Sequence, residues 1–301
     1  MNNNNQPILS LCLPTNGAVH WVIPTLEGIY SQGVDASLFE VVITDNGENS
    51  KLSDAIQQFD YPNMRYIQTN DSGFLNLITA LKLGKGQYCK MINHRSILVP
   101  GALQMMIDTI KQYEDSKPII YFSDGNLDEP EIVECENLDE FVRVMHYWAT
   151  WSGGVGVWQE DLVRLDGLKL NDLFPQSALM FDIRCDSKYV ICNRKFQKMQ
   201  DEDGKGGYDL FYAFAVEFPN IWKSLLVQNR ITQETYDYVM KRMYGFIYIL
   251  YNQEVLHKSK HTFIIQNVAK SIMANYGLYG YLRIIMKARK EQVKRKIKKL
   301  L

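Results

Sequence analysis

Cysteine is scarce in this chain of 301 residues, and its spacing suggests no pairing. Cys12, Cys89, Cys135, Cys185 and Cys192 make an odd count without a C-x-x-C motif. That argues against a disulfide framework or a thiolate zinc site and for reduced thiols in a cytosolic setting. An excess of one charge is also missing: 33 Lys and Arg face 34 Asp and Glu, for a net charge of −1. A general nucleic-acid binder would carry a basic excess. No apolar run approaches the ~20 residues a membrane-spanning helix needs. The most apolar helical stretch, 243–251, is preceded directly by Lys241 and Arg242. Residues 1–6 are polar and asparagine-rich, without the apolar centre of a targeting peptide. Walker, dinucleotide-glycine and G-x-S-x-G fingerprints are absent.

What is present is an ordinary globular composition, 46% hydrophobic and 22% charged, in a chain long enough for a large α/β domain with an appendage. Short apolar or β-branched runs at 7–14, 40–44, 64–68, 88–92 and 119–122 read as strands. Stretches 21–31, 51–59, 74–83 and 102–113 between them read as helices. Gly84 and Gly86 read as C-terminal helix glycines. Such alternation predicts an α/β fold with a mostly parallel sheet sandwiched by helices. From Trp222 onward, Tyr236, Met240, Met243, Ile247 and Leu250 fall at helical spacing. The expected division is therefore a 1–222 sheet domain and a 223–301 helical region.

In parallel sheets, ligands bind beyond the carboxyl ends of the strands. The loops Pro14-Thr15-Asn16, Asp45-Asn46-Gly47 and Asn93-His94-Arg95 all lie there. Asp45 either accepts hydrogen bonds from a ligand or only closes an Asx turn on Gly47. Gly153 and Gly154 permit close backbone approach or bend a strand. His257 and His261, four apart, could share a helix face, but no third metal ligand accompanies them. Trp148, Trp151 and Trp158 suit sugar stacking or plain core packing. The chain's even charge hides an asymmetry. From Arg283 to the end nine basic residues face one acid, Glu291, and Leu278, Leu282, Ile285, Val293, Ile297 and Leu301 fall near helical spacing. This reads either as a basic amphipathic helix on an anionic membrane or as a solvated terminal helix.

Four stretches in this order resemble the family-2 glycosyltransferases of GT-A fold, in particular the abequosyltransferase-like branch that builds bacterial surface polysaccharides. They are residues 8–16 (ILSLCLPTN), 40–46 ending at Asp45, 70–88 with Asn70, Gly73, Asn76 and the glycines before Tyr88, and 100–103 (PGAL). Trp151 to Trp158 is similar to an acceptor-side strand. The resemblance implies a GT-A-type, Rossmann-like sheet. It implies transfer of a hexosyl or deoxyhexosyl group from a nucleotide-diphosphate donor to a glycan or lipid-linked saccharide, as in O-antigen, lipopolysaccharide or capsule assembly. The enzyme would sit in the cytoplasm, peripheral to the inner face of the membrane. Pro14, Thr15, Asp45, Asn46, Asn70, Gly73, Asn76, Asn93 and Lys205 become candidate donor contacts, and Trp151, Gly153, Gly154 and Gln176 acceptor-side ones.

Two departures stand out. The family's D-x-D positions are Asn93 and Arg95, poor ligands for a hard dication. No metal ligand is therefore assigned: Mg²⁺ or Mn²⁺ stays possible, but Arg95 is expected to face the diphosphate instead. The family's basic carboxylate is replaced by Gln176, which cannot take a proton near neutral pH. Asp172 is the first substitute and Asp182 the second; a turn role competes for Asp172. The alternative to an active enzyme is a degenerate, glycosyltransferase-like binding or scaffold subunit.

Overall fold

The early apolar runs become parallel strands because helices cover both of their faces. A computed structural model describes residues 6–48, 51–201, 204–257 and 259–300, with side chains as far as Val293. Glu202, Asp203 and the tail side chains from Lys294 to Leu301 lie outside the described residues.

Two compact units form. In chain order the first carries β1 (Leu9–Thr15), α1 (Val19–Tyr30), β2 (Phe39–Asp45), α2 (Lys51–Ile56), β3 (Met64–Gln68), α3 (Asn76–Leu83), β4 (Tyr88–Met91), β5 (Ser96–Leu98), α4 (Ala102–Gln112), β6 (Ile119–Phe122) and β7 (Ile132–Cys135). After α5 (Leu138–Met145), which the two units share, come β8 (Gly156–Trp158), α6 (Gln176–Phe181), β9 (Tyr189–Cys192) and β10 (Gln197–Met199). The main sheet has the order β3-β2-β1-β4-β8. Its first four strands are parallel and β8 runs antiparallel to β4. The α/β expectation thus holds, in the GT-A-type arrangement.

Leu11, Leu13, Val41 and Ile43 share one buried cluster with Val22, Leu26 and Ile29 of α1 and Leu103, Met106 and Ile107 of α4. Leu77, Ile78 and Leu81 of α3 are buried outside that cluster, and α3 also packs on β1 and β2. The strands are thus covered on both faces, which explains their unbroken apolar reading. β5 and β10 make an antiparallel ribbon, and β6-β9-β7 a second small sheet.

Gly84 does not end α3 with left-handed geometry: its φ is −64°. Glycine is required there because a Cβ would lie 2.4 Å from Cys89 Sγ, and at Gly86 one would lie 2.6 Å from the Ser10 nitrogen. Both glycines admit β1 and β4 to close packing.

The second unit comprises Val142–Tyr147 and the described residues after 201. The contact boundary thus falls ahead of 222/223. Apolar packing in this unit begins earlier, with Leu210, Phe211 and Phe218 buried. The helical C-terminal region is present, with one short strand pair added, β11 (Gly206–Asp209) running parallel to β12 (Thr262–Ile264). Between them lie the single turn α7 (Leu210–Tyr212), α8 (Phe218–Val227) and α9 (Gln233–Leu250). Thr232 caps α9 by accepting from the Thr235 N–H at 3.1 Å. The last element, α10 (Val268–Leu300), is broken at Gly277, whose φ of 65° is left-handed. His257 and His261 do not share a helix face, because the helical run stops at Leu256; His261 instead meets Glu254 at 2.9 Å. No described helix is long and apolar enough to cross a membrane.

Candidate functional site

Strand register sets the first cluster. Thr15 stands opposite Asp45, and Asp45 opposite Gln68, so three strands end level. Strand order reverses between β1 and β4, the position where such sheets open a crevice. Asp45 is fully buried. One carboxylate oxygen accepts from the Gly47 N–H at 2.8 Å, the Asx turn foreseen as one alternative. The other accepts from the Tyr66 hydroxyl at 2.9 Å, which also lies 2.7 Å from Gln68 Oε1. A Cβ at Gly17 would lie 3.4 Å from the carboxylate, and one at Gly47 would lie 2.4 Å from the Asn16 carbonyl oxygen. The aspartate therefore organises two glycine loops at the strand ends. A carboxylate offers about four acceptor positions, of which these bonds fill two.

Asn46 and Asn76 clamp the same rim. Asn46 Nδ2 donates to the carbonyls of Asp71 and Gly73 at 3.0 and 3.3 Å. Buried Asn76 donates to Thr15 and Thr44 carbonyls at 3.2 and 2.9 Å and accepts from Thr69. Its amide is thus spent on backbone. Gly73 opens a 3₁₀ turn at φ 51° with clear space beside it, and Asn70 is exposed. Pro14 is half-buried within β1.

The loop after β4 continues the rim. His94 Nδ1 lies 2.9 Å from Thr15 Oγ1, joining this loop to the end of β1. Burial, helped by Arg95 and His20, lowers the His94 pKa to about 4, so the ring is neutral at neutral pH. Asn93 Oδ1 accepts from the Arg95 N–H at 2.9 Å, closing a tight turn. The Arg95 guanidinium rests on the Trp21 ring, 3.4 Å from its centroid. Trp21 is held in turn, its Nε1 donating to Asp201 at 3.3 Å and its carbonyl accepting from Gln200 at 2.9 Å. Stacking fixes the plane of the guanidinium, and its N–H donors lie in that plane, the geometry that grips phosphate. An amide oxygen already accepting a backbone N–H, next to a cation, does not fit a hard dication. The described residues hold no group of three or more His, Cys, Asp or Glu able to bind one.

The acceptor-side candidates form a second cluster. Ser152–Gly154 is a 3₁₀ turn with both glycines buried, rather than a strand bend. A Cβ on Gly154 would lie 2.3 Å from the Phe122 carbonyl oxygen, so the turn presses on β6. Trp151 stacks near Phe196, with ring centroids 6.1 Å apart. Gln176, buried at the start of α6, donates to the Thr150 carbonyl at 2.7 Å. Asp172 is exposed in the loop ahead of α6, where Asn171 Oδ1 accepts the Leu173 and Phe174 N–H groups. Asp182 caps the far end of the same helix.

Lys90 supports the second cluster and was not foreseen. This fully buried lysine on β4 donates to the Gly153 carbonyl at 2.9 Å and to that of Met91 at 3.0 Å, with its ammonium 4.4 Å from the Phe196 ring centroid. Burial lowers its pKa to about 7. A charged residue inside the apolar run 88–92 was the available signal. Tyr66 was missed as well, although period-two alternation on β3 places Tyr66 and Gln68 on one side. Lys205 belongs to the second unit, where it is exposed and its carbonyl accepts from the Thr262 N–H at 2.8 Å.

No family model and no curated protein sequence matches the chain. Solved structures do match. The S. aureus TarS 1–349 fragment in complex with UDP-GlcNAc is similar at TM-score 0.60 and 13% identity, over 89% of this chain and 79% of that one. Its UDP complex is similar at TM-score 0.51 and 12% identity, over 69% and 63%. Another structure of the same fragment gives the same values, so in these two alignments the chain spans less than two thirds of TarS 1–349. At such identity the likeness establishes a shared fold.

Proposed function

We propose that this chain is a glycosyltransferase using a nucleotide-diphosphate sugar. The observation that carries the reading is the continuous rim from Asp45 through Thr15 and His94 to the stacked Arg95, at the strand-order reversal of a fold shared with a UDP-GlcNAc-bound protein. Asp45, with its remaining acceptor positions, holds the nucleoside. Arg95 faces the diphosphate. As the acceptor hydroxyl attacks the anomeric carbon, the sugar–phosphate bond breaks and the charge left on the nucleoside diphosphate falls to Arg95, without a metal. The hydroxyl proton passes to a carboxylate, Asp172, an exposed residue of the loop leading into α6. The acceptor is a glycan or lipid-linked saccharide of bacterial surface polysaccharide, met on the cytoplasmic face of the membrane.

One observation favours a second reading. Gln176 and Asn93 are both committed to local hydrogen bonds where the family keeps carboxylates. A degenerate subunit would bind the nucleotide and turn nothing over.

Thermal shift against UDP, GDP, CDP and dTDP, each with and without divalent metal, tests the shared premise. A nucleotide at 100 times its Kd stabilises by ~2.7 kcal/mol, or roughly 5–10 °C at this domain size. No shift with any of the four refutes both readings. A shift accompanied by sugar transfer in EDTA selects the first reading, and a shift without turnover of any donor, with or without metal, selects the second.

A further inference from the structure

The amphipathic stretch after the Gly277 break turns two different apolar faces outward and inward. At ~100° per residue, buried Ile284 and Ala288 and half-buried Tyr281 and Ile285 line one side. Leu278, Tyr279, Leu282, Met286 and Val293 fall within a separate sector of about 100° and are 44% to 72% exposed. A stripe of that width is what a helix normally buries, yet among the described residues nothing covers it.

Charge identifies what does. Arg283, Lys287 and Lys290 border the stripe on one edge, and Arg289 lies within it. Glu291 is the only acid between 278 and 293 and points toward the packed side. The Arg283 guanidinium lies 5.8 Å from the Tyr279 ring centroid and the Lys287 ammonium 3.9 Å from that of Tyr248. Long basic side chains lying along aromatic rings, with an apolar strip beside them, are the chemistry of a helix at a lipid headgroup boundary.

We infer that this face of α10 docks on an anionic lipid surface, lying in the interface plane. The helix from 278 to 293 is about 24 Å long and, with the basic residues interrupting it, does not span. The inference stands apart from the catalytic reading, since it uses only residues of the second unit.

Co-flotation of the full chain with phosphatidylcholine vesicles, with and without phosphatidylglycerol, tests it. Wild type is expected on the anionic vesicles and not on the neutral ones, with binding falling as salt rises. Leu282→Asp with Met286→Asp is expected to weaken partitioning about tenfold or more by removing two apolar contacts. Arg289→Gln with Lys290→Gln is expected to weaken it about tenfold at low salt. All four positions are exposed, so circular dichroism and the melting temperature are expected to hold. Nucleotide-induced thermal shifts on the same variants keep failure here separate from failure of the catalytic reading. Equal retention of wild type and both variants overturns the inference. So does a concentration-dependent oligomer that Leu282→Asp with Met286→Asp converts to monomer while vesicle binding is unchanged, since the stripe would then cover a second copy.

Discussion

Replacing Asp45 by asparagine separates the two things this carboxylate can do. As a loop organiser it accepts the Gly47 N–H and the Tyr66 hydroxyl. Asparagine keeps most of that: its carbonyl can close the same Asx turn, and the Tyr66 hydroxyl can donate to Gln68 Oε1, 2.7 Å away, while accepting from the new amide. The expected stability loss is ~1 kcal/mol or less, one neutral hydrogen bond traded for another. As a ligand contact the residue supplies charge. A hydrogen bond to a charged acceptor is worth ~1.5–3 kcal/mol and a neutral one ~0.5–1.5. The difference, on the order of 1–2 kcal/mol, predicts a Kd for the preferred nucleotide weakened about 5- to 30-fold. Asp45→Ala does both kinds of damage. It strands the half-buried Gly47 N–H, at up to ~1–3 kcal/mol, while the Tyr66 hydroxyl keeps Gln68 as its acceptor. Titration calorimetry and urea unfolding on the two variants read these effects independently. Unchanged affinity together with unchanged stability in Asp45→Asn refutes the nucleoside role and leaves Asp45 as a turn former.

Activity is expected to persist in EDTA, while Arg95→Gln lowers kcat/KM by about 10- to 100-fold, the worth of a charge-assisted phosphate contact; loss in EDTA with rescue by Mn²⁺ overturns the assignment. Lys90 titrates near 7 when folded against 10.5 when unfolded, so the unfolded state binds the extra proton between those values. Stability should therefore rise with pH from about 7 to 10, by on the order of a few kcal/mol, and this rise should vanish in Lys90→Met; parallel urea midpoints for both proteins across that range would contradict it. His94 gives the same sign at lower pH, with stability falling as pH drops from 6.5 toward 4, and His94→Gln should flatten that slope. Gly154→Ala forces a Cβ to within 2.3 Å of the Phe122 carbonyl oxygen and is expected to cost ~1–3 kcal/mol or more, read as a lower urea midpoint; an unchanged midpoint means the turn yields without cost.

The legible parts of the fold were those written in runs. Strands at 64–68 and 119–122 carry their boundaries in local composition, and the rim loops follow from strand ends. Cross-chain facts were not legible. Gly84 does sit at the C-cap of α3, but in extended rather than left-handed geometry, and what requires glycine at 84 and 86 is the approach of Cys89 and Ser10. β11 and β12 are too short and too far apart in sequence to announce their pairing. In the site, Asp45 and Arg95 stood out as residue types at strand ends. Trp21 did not, because its part depends on β4's loop folding back over α1. Lys90 was hidden for the opposite reason: period-two reasoning treats a lysine in an apolar strand as an outward-facing residue, whereas this one turns inward to two carbonyls.

Under the proposed reading, the 93–95 loop would meet the diphosphate by a different local physics from that of a D-x-D metal site. A dication delivers two charges but needs carboxylates to hold it. The 93–95 loop offers an amide, a ring kept neutral by burial and one guanidinium. At neutral pH that loop therefore carries a single positive charge. Stacking on Trp21 sets the plane of that charge. One oriented charge suits a leaving diphosphate, because the negative charge that develops as the sugar–phosphate bond breaks is what must be met, not the charge already present in the ground state. A freely rotating lysine or arginine would meet both alike. Under that reading the tryptophan beneath Arg95, itself tied to Gln200 and Asp201, is what orients the replacement charge, and Trp21→Leu is expected to lower kcat/KM as Arg95→Gln does.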